Sequence, residues 1–144
     1  MLLKLTSVGL VLAGMLATAT ALRADDAAIQ KDLKVLEGGW TVKSEGGGDI
    51  SYTFKGDKLE IKAPSRSYKM TVKIDPVAKP EKSIDFQIDD GPDDAKGKTS
   101  KGIYKFEDDN NTFVFCFRGE GDRPDKYEQV GFEQILSKLK RKKS

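Results

Sequence analysis

The chain has 144 residues, 25 lysines and arginines against 23 aspartates and glutamates, one cysteine, one tryptophan and no histidine. That length fits one domain, and the missing histidine excludes Ser-His and Cys-His nucleophile pairs, histidine-ligated zinc and histidine general bases. A lone cysteine excludes thiolate clusters and any intrachain disulfide, so stability has to come from a hydrophobic core.

Residues 1–21 read as a secretory signal. Lys4 supplies the basic start, Val8 to Leu16 the apolar run, and Ala19-Thr20-Ala21 the small-residue cleavage site. Thr6, Ser7, Thr18 and Thr20 interrupt the roughly 20 apolar residues a membrane span needs, so the expectation is export to the periplasm or beyond with no stable span after cleavage, an uncleaved anchor being the alternative. Setting aside Lys4 and the five basic residues among 138–143 leaves 19 basic against 23 acidic residues, or −4, for residues 22–137. The body is mildly acidic and the end basic, which is no nucleic-acid footprint.

Residues 22–37 predict a short helix: Asp25 and Asp26 suit its start, Ile29, Leu33 and Leu36 share one face, and Gly38-Gly39 ends it. From Trp40 the period changes to two. Trp40 and Val42, then Tyr52 and Phe54, then Leu59 and Ile61 alternate with polar residues, separated by Gly46-Gly47-Gly48 and Gly56-Asp57. Tyr68, Met70, Val72 and Ile74 form the cleanest half-buried strand, ended by Asp75-Pro76. Ile84, Phe86 and Ile88 make the next strand. Ile103–Phe106 and Thr112–Phe117 flank Asp108-Asp109-Asn110-Asn111 as a hairpin whose second arm is apolar on both faces, as in a well-covered central strand. At the end, Phe132, Leu136 and Leu139 fit a helix, while Leu139 between lysines fits an edge strand; the strand is favoured. Eight short strands with regular turns mean a sandwich or a barrel, and alternation does not decide whether a barrel of eight is filled or holds one small ligand.

Gly38-x-Trp40 after a short helix is similar to the Gly-x-Trp signature of lipocalin-like (calycin) barrels. A closer resemblance is to a family of small exported lipocalin-like domains abundant in planctomycete-type bacteria. It rests on an ordered set of words across Leu36–Arg141: Leu36-Glu37-Gly38-Gly39-Trp40, Phe54-Lys55-Gly56-Asp57-Lys58-Leu59, Ile74-Asp75-Pro76, Asp90-Gly91-Pro92, Gly102-Ile103-Tyr104, Cys116-Phe117, Asp122-Arg123-Pro124 and Leu139-Lys140-Arg141. Ser137-Lys138 departs from it, the family being more apolar there. The resemblance implies an all-β, eight-stranded antiparallel barrel over 38–141 with a short N-terminal helix and a basic tail at 142–144. It also implies a tryptophan closing the barrel base under a basic residue, matched by Arg141 or Lys140. The family has no established activity, so fold and compartment are what it supplies.

The remaining motifs carry little chemistry. Gly91 to Thr99 approximates a phosphate loop but has five residues between its glycines where four are needed, and it leads into a strand. Asp89, Asp90, Asp93 and Asp94 match no calcium-loop spacing, with Lys96 and Lys98 beside them. Cys116 among aromatics reads as an inert core thiol. Arg123 either pairs with Asp122 or offers its planar fork to a ligand anion. The expectation is a non-catalytic domain with no cofactor or metal, binding a small, largely apolar ligand in the barrel or at its mouth through Trp40, Tyr52, Met70, Phe86, Tyr104, Phe115 and Arg123. The alternative is an envelope protein-interaction module with a packed core. A carboxylate-based enzyme comes third.

Overall fold

The computed structural model describes residues 24–43 and 47–143; the expected signal at 1–21 lies outside the described residues. A helix, α1 (Ala24–Leu36), precedes eight strands: β1 (Gly38–Lys43), β2 (Asp49–Lys55), β3 (Lys58–Lys62), β4 (Ser67–Asp75), β5 (Ser83–Asp90), β6 (Thr99–Glu107), β7 (Thr112–Arg118) and β8 (Gln134–Arg141). Each strand pairs antiparallel with the next, and β8 returns to β1 through Trp40↔Arg141 and Thr41↔Lys140, which closes the barrel. The ambiguous last segment is therefore a strand. Its register puts Leu139 opposite Phe113 on the inner face, and Lys138 and Lys140 opposite Val114 and Thr112 on the outer face. Each strand thus has a neighbour on both sides, the β1–β8 seam through two residue pairs, which leaves no strand as a free edge for aggregation.

The alternation in the sequence becomes an inside and an outside. Trp40, Phe54, Leu59, Val72, Ile84 and Phe113 are buried in one interior cluster, whereas Thr53, Lys58, Lys69 and Lys73 on the same strands are exposed. The helix joins that interior: Leu36 is buried in it, and Ile29 and Leu33 pack against it. Asp25 and Asp26 lie in the first turn of α1, where a carboxylate complements the helix dipole. Gly38, at φ +112°, turns the chain from helix into strand, a backbone state that L side chains rarely adopt.

A second layer covers one side of the wall. The connection 119–133 lies over β6, β7 and β8: Cys116 Sγ donates to Glu128 O (3.4 Å), and Gln134 Nε2 donates to Glu128 O (2.8 Å) and Lys126 O (3.3 Å). Ile103, Val114 and Cys116, which face outward, are thereby buried, and this accounts for a β7 that is apolar on both faces. Gly102 allows β6 and β7 to approach closely here, since a Cβ on it would sit 2.6 Å from the carbonyl oxygen of Cys116.

Candidate functional site

Strand directions give the barrel two ends. At the end where α1 meets β1, the Trp40 indole donates from Nε1 to Leu36 O at 2.7 Å. Arg141 lies over its ring, with Cζ 4.1 Å from the centroid, and donates to Val35 O (2.7 Å), Glu37 O (3.3 Å) and Asn110 O (2.9 Å). Of the two basic residues that the resemblance offered for this place, Arg141 faces the tryptophan; Lys140 faces outward and donates to Thr112 Oγ1 at 2.8 Å.

Beside this seal, α1 carries a buried carboxylate. Asp32 Oδ2 accepts from Tyr104 Oη (2.7 Å) and Lys82 Nζ (3.0 Å), and the ammonium stands over the Tyr104 and Phe106 rings. A buried charge is tolerable when it is paired and hydrogen-bonded in this way. Burial, and then the bond to Asp32, drive the Tyr104 phenol well above its ordinary pKa, so it stays a donor at any physiological pH. Asp32 falls three residues after Ile29 on the apolar helix face, a placement that signals a satisfied buried acid, although the sequence does not name its partners.

At the opposite end the interior aromatics continue into a recess of about 60 Å³, lined by Tyr52, Ile61, Met70, Phe86, Ser100, Phe115 and Phe117. Edge-to-face and tilted ring contacts fix its walls: Tyr52–Phe115 at 6.2 Å, Phe86–Phe115 at 5.3 Å and Phe115–Phe117 at 5.8 Å between centroids. The lining offers two hydroxyls, Tyr52 and Ser100, and otherwise carbon and a thioether. Burial, with Tyr68 adding to it, pushes the Tyr52 phenol up to about 12.

Four of the seven candidate residues, Tyr52, Met70, Phe86 and Phe115, thus converge on this recess. Trp40 and Tyr104 belong to the sealed end. Arg123 lies outside the barrel wall, where its guanidinium donates to Gly102 O (2.7 Å) and Ile84 O (3.2 Å) and stands 2.7 Å from Asp85 Oδ1. That carboxylate oxygen meets Arg123 as an ion pair outside hydrogen-bond angles, and the described residues give it no hydrogen bond. The partner is Asp85, neither the sequence neighbour Asp122 nor a ligand anion, because the connection 119–133 carries Arg123 across to β5. Ile61, Phe117 and Ser100 were not among the candidates; the first two follow from strand period, while a small serine gives no such signal.

The Gly91–Thr99 segment is a hairpin connection: Gly97 N donates to Ile88 O (2.8 Å) and Ala95 N to Pro92 O (2.8 Å). Within the nearby acidic run, Asp89 accepts from Thr71 Oγ1 (2.6 Å) and Asp90 from Gly91 N (3.0 Å). Among the described residues no group of three or more histidine, cysteine, aspartate or glutamate side chains converges as a metal site.

No protein-family model, curated protein or solved structure matches the chain.

Proposed function

We propose that this protein is an exported, non-catalytic lipocalin-like domain that binds a small, largely apolar group at the mouth of its barrel. The observation that carries the reading is the convergence of Tyr52, Met70, Phe86 and Phe115 on one aromatic recess. Pockets that enclose a whole ligand run to about 300–1,000 Å³. At about 60 Å³, this recess receives a terminal group, a ring or a branched alkyl end, with the rest of the molecule outside. The two hydroxyls orient it, and the lining presents no carboxylate or amine to perform acid–base chemistry.

The test is an NMR titration of the Met70 methyl signal with indole and with hexanol, in the wild type and in Ser100→Leu, which fills the recess. The expected result is a saturable shift that the variant loses. No shift with either probe would reject mouth binding. It would favour the second reading, an envelope protein-interaction module, which the otherwise filled barrel interior and the full exposure of Phe132 support.

A further inference from the structure

The outer face of the barrel is most basic over β8, β1, β2 and β3, while the outward positions of β4, β5 and β6 mix Lys69, Lys73 and Lys101 with Asp85 and Asp89. On β8, β1, β2 and β3 the outward, exposed positions hold Lys138, Lys140, Lys43, Lys55, Lys58 and Lys62, against Asp49 and Glu60. Lys142 extends this wall, its side chain lying where a Cβ on Gly39 would meet it at 3.3 Å. Two of these lysines have an acid nearby: Lys43 faces Asp49 across the strands, and Lys62 stands 3.5 Å from Glu60. Exposed pairs of this kind contribute little. A third, Lys58, shares the Thr71 hydroxyl with Asp89, to which Thr71 Oγ1 donates at 2.6 Å, and the others rest on neutral groups or on each other. Lys58 Nζ donates to Thr71 Oγ1 and Lys140 Nζ to Thr112 Oγ1, both at 2.8 Å, while Lys55 is directly opposite Lys58. Like charges opposed across a strand pair destabilise it, so an anion bound there would relieve a cost the fold carries alone. Between the lysine groups run the outward hydroxyls Thr41, Ser51 and Thr53. The connection 119–133, which borders the wall over β6, β7 and the start of β8, carries Glu120, Asp122, Asp125, Glu128 and Glu133 against Arg123 and Lys126.

We propose that this lysine wall is a docking surface for a linear polyanion, a glycan bearing carboxylate, sulfate or phosphate groups. Outward positions on one strand repeat about every 7 Å and strands lie about 4.8 Å apart, a lattice of point charges that suits repeated anionic units. Lysine ammonium supplies charge without the fixed fork that selects one planar anion, and the hydroxyl column can hydrogen-bond to sugar. A lipid surface is the poorer fit. Stable membrane attachment takes an apolar anchor besides charge, yet the exposed large apolar side chains Val77, Val130 and Phe132 all lie off this wall. The proposal uses the outside of the barrel and stands independently of the recess.

The experiment measures binding of the purified protein to heparin and to polygalacturonate between about 50 and 200 mM salt. Vesicles of equimolar phosphatidylcholine and phosphatidylglycerol serve as the lipid arm. Two quadruple variants are compared: K55Q/K58Q/K138Q/K140Q on the wall, and K96Q/K98Q/K101Q/K126Q elsewhere. Both remove four charges, so net charge alone cannot separate them. The expected result is polymer binding that weakens steeply with salt, falls on the order of 100-fold in the wall variant, and changes less than about threefold in the other. Equal losses in both variants, no binding to either polymer, or tighter binding to the vesicles would overturn it.

Discussion

The sealed end and the mouth of this barrel are built from the same alternating strands and differ in what is laid across them. At the sealed end α1 supplies Leu36 and Asp32, and Trp40, Phe113 and Leu139 are fully buried beneath it. Polar atoms are satisfied there by specific long-range partners, with Arg141 joining the helix, the β6–β7 turn and the indole. At the mouth, Tyr52, Ile61, Met70 and Phe117 belong to the same apolar cluster yet are only partly buried. A barrel of eight strands can therefore be sealed at one end and less covered at the other without any change of strand pattern. The difference lies in one short helix and one arginine.

The largest effect should follow from Trp40→Ala. It removes the biggest fully buried side chain, the bond to Leu36 O and the surface on which Arg141 rests. A loss of about 3–5 kcal/mol is expected in urea unfolding; a loss below about 1.5 kcal/mol would mean that the helix and Arg141 hold the end closed without it. Tyr104→Phe is gentler, since it keeps the ring contacts and strips one donor from buried Asp32. It should cost about 1–3 kcal/mol, and a neutral outcome would show that Lys82 alone satisfies the carboxylate. Smallest is Tyr52→Phe at the mouth, expected within about 0.5 kcal/mol at pH 7, with its signature in alkali. The folded phenol holds its proton up to about 12, whereas the unfolded one releases it near 10. The contribution is thus complete below pH 10 and is lost as pH rises toward 12. The variant should show a shallower stability decline over that window, with a remainder from Tyr104 and Tyr127, which are also raised by burial. An unchanged decline would place Tyr52 in water and erase the contrast between lining and surface.

Much of this was legible in the chain because strand period is local. Trp40 to Val42, Tyr68 to Ile74 and Thr112 to Phe117 announce strands by their own side chains, and Leu139 between two lysines reads as a strand, though one paired on both sides and not at an edge. What was not legible depends on distance through the fold. Period two cannot tell which end of a barrel a residue occupies, so Trp40 and Tyr104 were grouped with residues of the mouth. Asp32 lies 50 residues from Lys82 and 72 from Tyr104, and nothing near it in sequence shows that pairing. Arg123 has an aspartate as its immediate neighbour, yet the connection 119–133 spends it on Asp85 and two carbonyls of the wall.

The guanidinium of Arg141 reaches back 106 residues to Val35, and with the β1–β8 seam it joins the two ends of the domain. Seven strands can zip to their neighbours one after another as they emerge, each hairpin closing over a short loop. The ring itself cannot shut until β8 is present, and the loop then to be closed spans nearly the whole domain. Proteins dominated by such distant pairings fold in about milliseconds to seconds, slower than locally wired ones. A half-finished molecule meanwhile shows two unpaired strand edges to its surroundings.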